Sequence, residues 1–78
     1  MSRMRRRYSR KRNALEEILG RPWEVVALEY DRKPMTQAEI AAEWTTLVSR
    51  RYPDVVFTQR NVSDAITLAK EARQEVAA

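Results

Sequence analysis

Apolar residues recur along this chain at helical spacing in four stretches separated by polar or helix-breaking clusters. Ala14, Leu15, Ile18 and Leu19 form the first set. Trp23, Val26, Ala27 and Tyr30 follow at i, i+3, i+4 and i+7, the signature of one buried helical face. Ile40, Ala41, Trp44, Leu47 and Val48 make a third stripe, and Val62, Ala65, Ile66, Ala69, Ala72 and Val76 a fourth. Trp44 falls on its stripe and is expected in the core rather than as an exposed anchor.

Polar residues between the stripes carry stop and start signals. Asn13 with Glu16 has the spacing of a capping box, which predicts a first helix beginning there. Gly20, the only glycine, lies where a helix ends at positive φ. Pro22 suits the first turn of a second helix, where a missing N–H costs nothing, and Asp31 to Pro34 ends that helix because the residue before proline disfavours helical backbone. Thr36 and Glu39 form a second capping box, with Met35 and Ile40 as its apolar staple. The third helix is expected from Gln37 to about Arg51. It depends on packing as well as propensity, since Thr45 and Thr46 are β-branched. Tyr52, Pro53 and Asp54 break it. Val55, Val56 and Phe57 read as a loop plugging the core rather than a strand, having no obvious pairing partner. Thr58 then caps a fourth helix over Gln59 to about Val76, with Phe57 and Val62 as staple. The fold class is therefore all-α, a three- to four-helix domain of helix-turn-helix type.

Composition narrows the function. A 78-residue chain has room for one domain and buries only about 60% of the surface its unfolded form exposes. It has neither cysteine nor histidine, so disulfides, thiolate metal sites and the commonest general base and metal ligand are all missing from its repertoire. An enzyme is not expected, nor a metal or cofactor. Glu39 and Glu43 lie four apart, but capping and exposure account for them. No apolar run approaches the ~20 residues that span a bilayer, and no apolar segment follows the basic N-terminus as in a secretory signal. The expectation is a cytoplasmic, nucleoid-associated protein with no membrane partner.

Charge distribution changes the picture more. Arg3, Arg5, Arg6, Arg7, Arg10, Lys11 and Arg12 place seven positive charges in the first twelve residues with no acid among them. The other 66 residues hold eight basic and eleven acidic side chains, a net of minus three. Like charges in a block repel and stay disordered until an opposite charge arrives. Residues 1–12 are thus read as a flexible basic arm ahead of a helical domain over 13–78. Nucleic acid is the natural polyanion for it: phosphate binding releases condensed counterions, and guanidinium fits phosphate bidentately. Tyr8 could stack on a base.

The outward positions at the start of the fourth helix, Thr58, Gln59, Arg60, Asn61, Ser63 and Thr67, are side chains that pair with base edges: Arg with guanine, Gln or Asn with adenine, Ser or Thr with either. Asp64 is expected to hold Arg60 or to lie beside the groove. Arg50 and Arg51 favour the dipole at the end of the third helix and can also clamp a phosphate. Lys70 and Arg73 are expected to be solvated or paired with Glu71 and Glu75.

Within Pro22 to Arg73, WEVVALEYDRKPMTQAEIAAEW and later TQRNVSDAITLAKEAR resemble the promoter-reading helix-turn-helix of bacterial sigma factors and related transcription regulators. The matching residues are Leu28 and Tyr30, then Glu39, Ile40 and Ala41, then Val62, Ile66 and Ala69. The resemblance covers about two thirds of the chain, which departs from the pattern by an insertion of about ten residues, from around Trp44 to Val55, between the two motif helices. It implies a helix-turn-helix whose last helix reads double-stranded DNA, in a transcription regulator whose small size and arm suit a phage or plasmid. Two half-sites would call for a homodimer. The alternative is an interaction module docking on RNA polymerase or another large protein, or an arm that binds RNA, with Trp23, Tyr30, Trp44, Tyr52 and Phe57 as candidate anchors.

Overall fold

Four helices follow one another along the chain in the computed structural model, which describes residues 9–77: α1 (Ser9–Leu19), α2 (Trp23–Asp31), α3 (Gln37–Val48) and α4 (Gln59–Ala77). There is no strand among the described residues. α4 lies across α2 and α3, and α1 packs against α2 and α3 from another side. The arginines at 3, 5, 6 and 7, Tyr8, and the side chain of Val76 lie outside what is described.

Each helix boundary has a local cause. α1 stops at Gly20, whose φ of 68° reverses the chain and whose N–H donates to the Glu16 carbonyl at 2.8 Å. Pro22, with φ −58° and ψ 143°, precedes α2 as its cap residue. Proline offers no side-chain acceptor, and a neighbouring helix substitutes: the Trp23 N–H donates to Glu16 Oε2 at 2.7 Å. The capping box of α3 forms as expected, with the Thr36 N–H donating to Glu39 Oε1 at 2.8 Å and the Glu39 N–H to Thr36 Oγ1 at 3.1 Å. Such caps contribute about 1 kcal/mol each.

Three expectations need correction. Helix is already present at Ser9, so Asn13 is an exposed mid-helix residue and caps nothing. Arginine and lysine are good helix formers once their charges are balanced, and the acids of the body balance Arg10 and Arg12. Regular α3 ends at Val48; two turn bonds, Arg51 N–H and Tyr52 N–H both to the Val48 carbonyl at 3.2 and 2.7 Å, carry the chain onward. Ala72 is exposed rather than inward-facing, although α4 still runs beside α2 there, with Arg73 next to Val25 and Leu28.

The core is built around Trp44, which is 0% exposed. Its ring centroid lies 5.7 Å from Trp23, 5.8 Å from Tyr30 and 5.5 Å from Phe57, the last two edge-on at 85° and 84°. Tilted and edge-on pairs of this kind add about 0.5–1.5 kcal/mol each beyond area burial. Phe57 reaches this cluster from the segment between α3 and α4. That segment is a loop, with Val55 and Phe57 buried and Val56 turned outward at 55% exposure. The Phe57 N–H donates to Thr45 Oγ1 at 2.9 Å, tying the loop back along α3.

Candidate nucleic-acid interface

Because the loop runs back along α3, it delivers the start of α4 to the start of α3. Gln37, the first residue of α3, joins Gln59, Arg60 and Ser63 of α4 around a shallow depression of about 400 Å3. Two helix N-termini therefore open onto one surface. Each carries backbone N–H groups without helical acceptors and the positive end of a helix dipole. Around them stand amides, a guanidinium and a hydroxyl, a set able to pair with base edges or phosphate oxygens.

The N-terminus of α4 is fixed by a reciprocal cap. The Asn61 N–H donates to Thr58 Oγ1 at 3.2 Å, the Thr58 N–H donates to Asn61 Oδ1 at 2.9 Å, and the Val62 N–H reaches the Thr58 carbonyl at 3.2 Å. Asn61 stands where a capping box usually has Glu or Gln. Its Oδ1 also accepts from Lys11 Nζ at 2.9 Å. Asn61 is 2% exposed, so it is not one of the outward positions: its carbonyl oxygen is already used twice, inside the protein.

Arg60 is the cation of the depression. Its side chain is 76% exposed and its Nε lies 3.9 Å from Asp64 Oδ2, one turn along. Asp64 thus holds Arg60, loosely. Thr67 is exposed one turn beyond Ser63 and lies outside the depression.

The other basic residues divide. Arg10 gives Asp54 a two-pronged contact, Nε to Oδ2 at 3.0 Å and Nη2 to Oδ1 at 2.9 Å, and lies 5.6 Å above the centre of the Tyr52 ring. The Arg10 guanidinium holds the Asp54 carboxyl below its usual range. Arg12 approaches Glu16 at 3.5 Å and Glu24 at 3.9 Å. Arg51 Nε pairs with Glu17 Oε2 at 3.0 Å, and the Tyr52 hydroxyl donates to the same oxygen at 2.7 Å. Arg10, Lys11 and Arg12 therefore belong to the helical body and make contacts within it, not to the arm. Arg50 is exposed in the turn after α3. Lys70 pairs with Asp31 at 3.5 Å, and the expected partner Glu75 has its side chain outside the described residues.

Sequence reasoning missed Gln37. The signal was available, since a residue directly after a strong cap sits in the first helical turn, but nothing in one dimension brings it beside Gln59. Among the described residues no group of acidic side chains could hold a metal ion, and no helix is long and apolar enough to cross a membrane. No protein-family model matches the chain, and no curated protein or solved structure matches it either.

Proposed function

We propose that this chain is a small duplex DNA-binding protein of helix-turn-helix type that acts in transcription regulation. The observation that carries the reading is the convergence of the α3 and α4 N-termini on the depression formed by Gln37, Gln59, Arg60 and Ser63. An α-helix fits the major groove end-on or lengthwise, and the first turns of the reading helix make the base contacts in helix-turn-helix proteins. In this chain Gln59, Arg60 and Ser63 take that place, with Thr67 farther along the groove and Gln37 and Thr58 toward the phosphates. Arg50, and the arginines at 3, 5, 6 and 7, supply phosphate contacts that carry affinity without sequence preference.

The docking alternative loses its main support. Trp23, Tyr30, Trp44 and Phe57 are all buried, so four of the five large aromatic groups that would anchor a partner are occupied by the core.

The test is enrichment of a random duplex library by the full chain, followed by binding of the enriched duplex to wild type and to Arg60→Ala. The reading expects a defined site whose preference at one base pair relaxes in Arg60→Ala. No enrichment over the input library overturns it.

A further inference from the structure

Asn61 does more than cap α4. Its Oδ1 accepts the Thr58 N–H and the Lys11 ammonium, each at 2.9 Å, so both lone pairs of that oxygen are used. The Asn61 N–H returns to Thr58 Oγ1 at 3.2 Å. Gln59 and Arg60 therefore lie within a turn pinned at both ends.

The bond from Lys11 is not needed for capping. Thr36 and Glu39 close the corresponding box of α3 by themselves among the described residues, and Thr58 with Asn61 satisfies the same pair of N–H groups at α4. Lys11 belongs to α1, which packs against α2 and α3, and its half-buried side chain extends from there to α4. What the bond adds is a fixed relation between helices. Because α1 rests on α3 and α3 carries Gln37, holding the first turn of α4 to α1 also holds Gln59, Arg60 and Ser63 against Gln37 across the depression. Groups that recognise a ligand must be held within about 0.5 Å of their productive geometry. We infer that Lys11 and Asn61 are positioning residues: they set the orientation of Gln59, Arg60 and Ser63 for base recognition without touching DNA themselves. The inference rests on the DNA-binding reading above.

Specificity, rather than affinity alone, tests this role. Binding of the full chain is measured by fluorescence anisotropy on an enriched duplex and on a random-sequence duplex of equal length, and the ratio of the two affinities is compared among variants. Lys11→Met keeps the apolar stem and loses the donor, whereas Lys11→Arg keeps a donor for Asn61 and Asn61→Asp keeps an acceptor for Lys11. Circular dichroism sets a temperature at which each variant is folded; should Lys11→Met not fold, Lys11→Gln, whose side chain is one bond shorter than lysine, takes its place. The ratio should fall about three- to tenfold in Lys11→Met, the scale of one hydrogen bond's net contribution. It should stay within about twofold of wild type in Lys11→Arg and Asn61→Asp, even where the added carboxylate weakens both duplexes. A role confined to the stability of the fold leaves the ratio unchanged in every folded variant, and a Lys11 that binds phosphate weakens both duplexes alike and makes the salt slope shallower. Either result overturns the positioning role and leaves the DNA reading in place. A wild type that selects no site overturns the DNA reading, and the positioning role falls with it.

Discussion

Thr45 and Phe57 share a hydroxyl that works in both directions: Thr45 Oγ1 accepts the Phe57 N–H at 2.9 Å and donates to the Ala41 carbonyl at 2.8 Å. This holds the loop against α3 while Phe57 packs on Trp44. Thr45→Val keeps the shape but removes the acceptor, leaving a backbone N–H unpaired next to the core. A buried donor left in this way costs about 1–3 kcal/mol. Urea titration should show a lower midpoint with unchanged slope, and Thr45→Ser should recover most of the stability. A Thr45→Val midpoint equal to wild type would mean the loop is held by Phe57 packing alone.

Trp44 poses a sharper contrast. Its ring is at the centre of the aromatic cluster, yet its Nε1 is buried with no hydrogen-bond partner among the described residues. Trp44→Ala should cost about 3–5 kcal/mol, a large part of the ~4–12 kcal/mol expected of a domain this size, and leave the protein partly unfolded at 25 °C. Trp44→Phe keeps an aromatic filler and deletes the unpaired donor, so its cost should be far smaller. Circular dichroism on both variants checks this. Equal damage from the two would show that Nε1 has a partner.

Caps and stripes were readable because they are local: Thr36 with Glu39, Gly20 at its positive φ, and the faces holding Trp23, Ile40 and Val62 need only short-range spacing. What escaped was decided at long range. Arg10 to Arg12 look like an arm because their counter-charges, Asp54 and Glu24, lie elsewhere in the chain, or one turn away in Glu16. Asn61 looks like a base reader because its type suits one; only the arrival of Lys11 and the Thr58 cap shows that it faces inward. The depression itself arises from the backward course of the loop, which no periodicity records.

Tyr30 gives a pH signature. Burial, with the Glu43 carboxylate adding to it, pushes its hydroxyl up to about 12 from an ordinary value of 10.0. The folded pKa lies above the unfolded one, so the stability tied to the neutral hydroxyl is complete below pH 10 and is lost as pH rises toward 12. Between those values the unfolded chain gives up a proton that the folded chain keeps, and stability falls by about 1.4 kcal/mol per pH unit. Thermal unfolding followed from pH 9 to 11.5 should show this decline, and Tyr30→Phe should remove the greater part of it. Tyr52, raised by its bond to Glu17, accounts for a remainder. An identical decline in Tyr30→Phe would assign the effect to other groups.

Salt dependence separates the two parts of the proposed interface. Neutralising phosphates releases counterions, and log K falls against log salt with a slope of about −0.9 per phosphate on duplex DNA. Because helix is present from Ser9 onward, deleting residues 1–8 takes away Arg3, Arg5, Arg6 and Arg7 while leaving Arg10 and Lys11 bonded to Asp54 and Asn61. This truncation should make the slope shallower by about 0.9 for every phosphate those arginines neutralise and weaken all duplexes alike. Arg60→Ala should do something different. If its guanidinium pairs with a guanine edge, affinity for the enriched duplex falls by about 1–3 kcal/mol, random duplex is less affected, and the slope stays close to wild type. Arg6→Ala, measured beside it, should lower affinity for both duplexes equally. Parallel weakening on both duplexes for Arg60→Ala and Arg6→Ala would make Arg60 one more phosphate ligand and take specificity away from the depression.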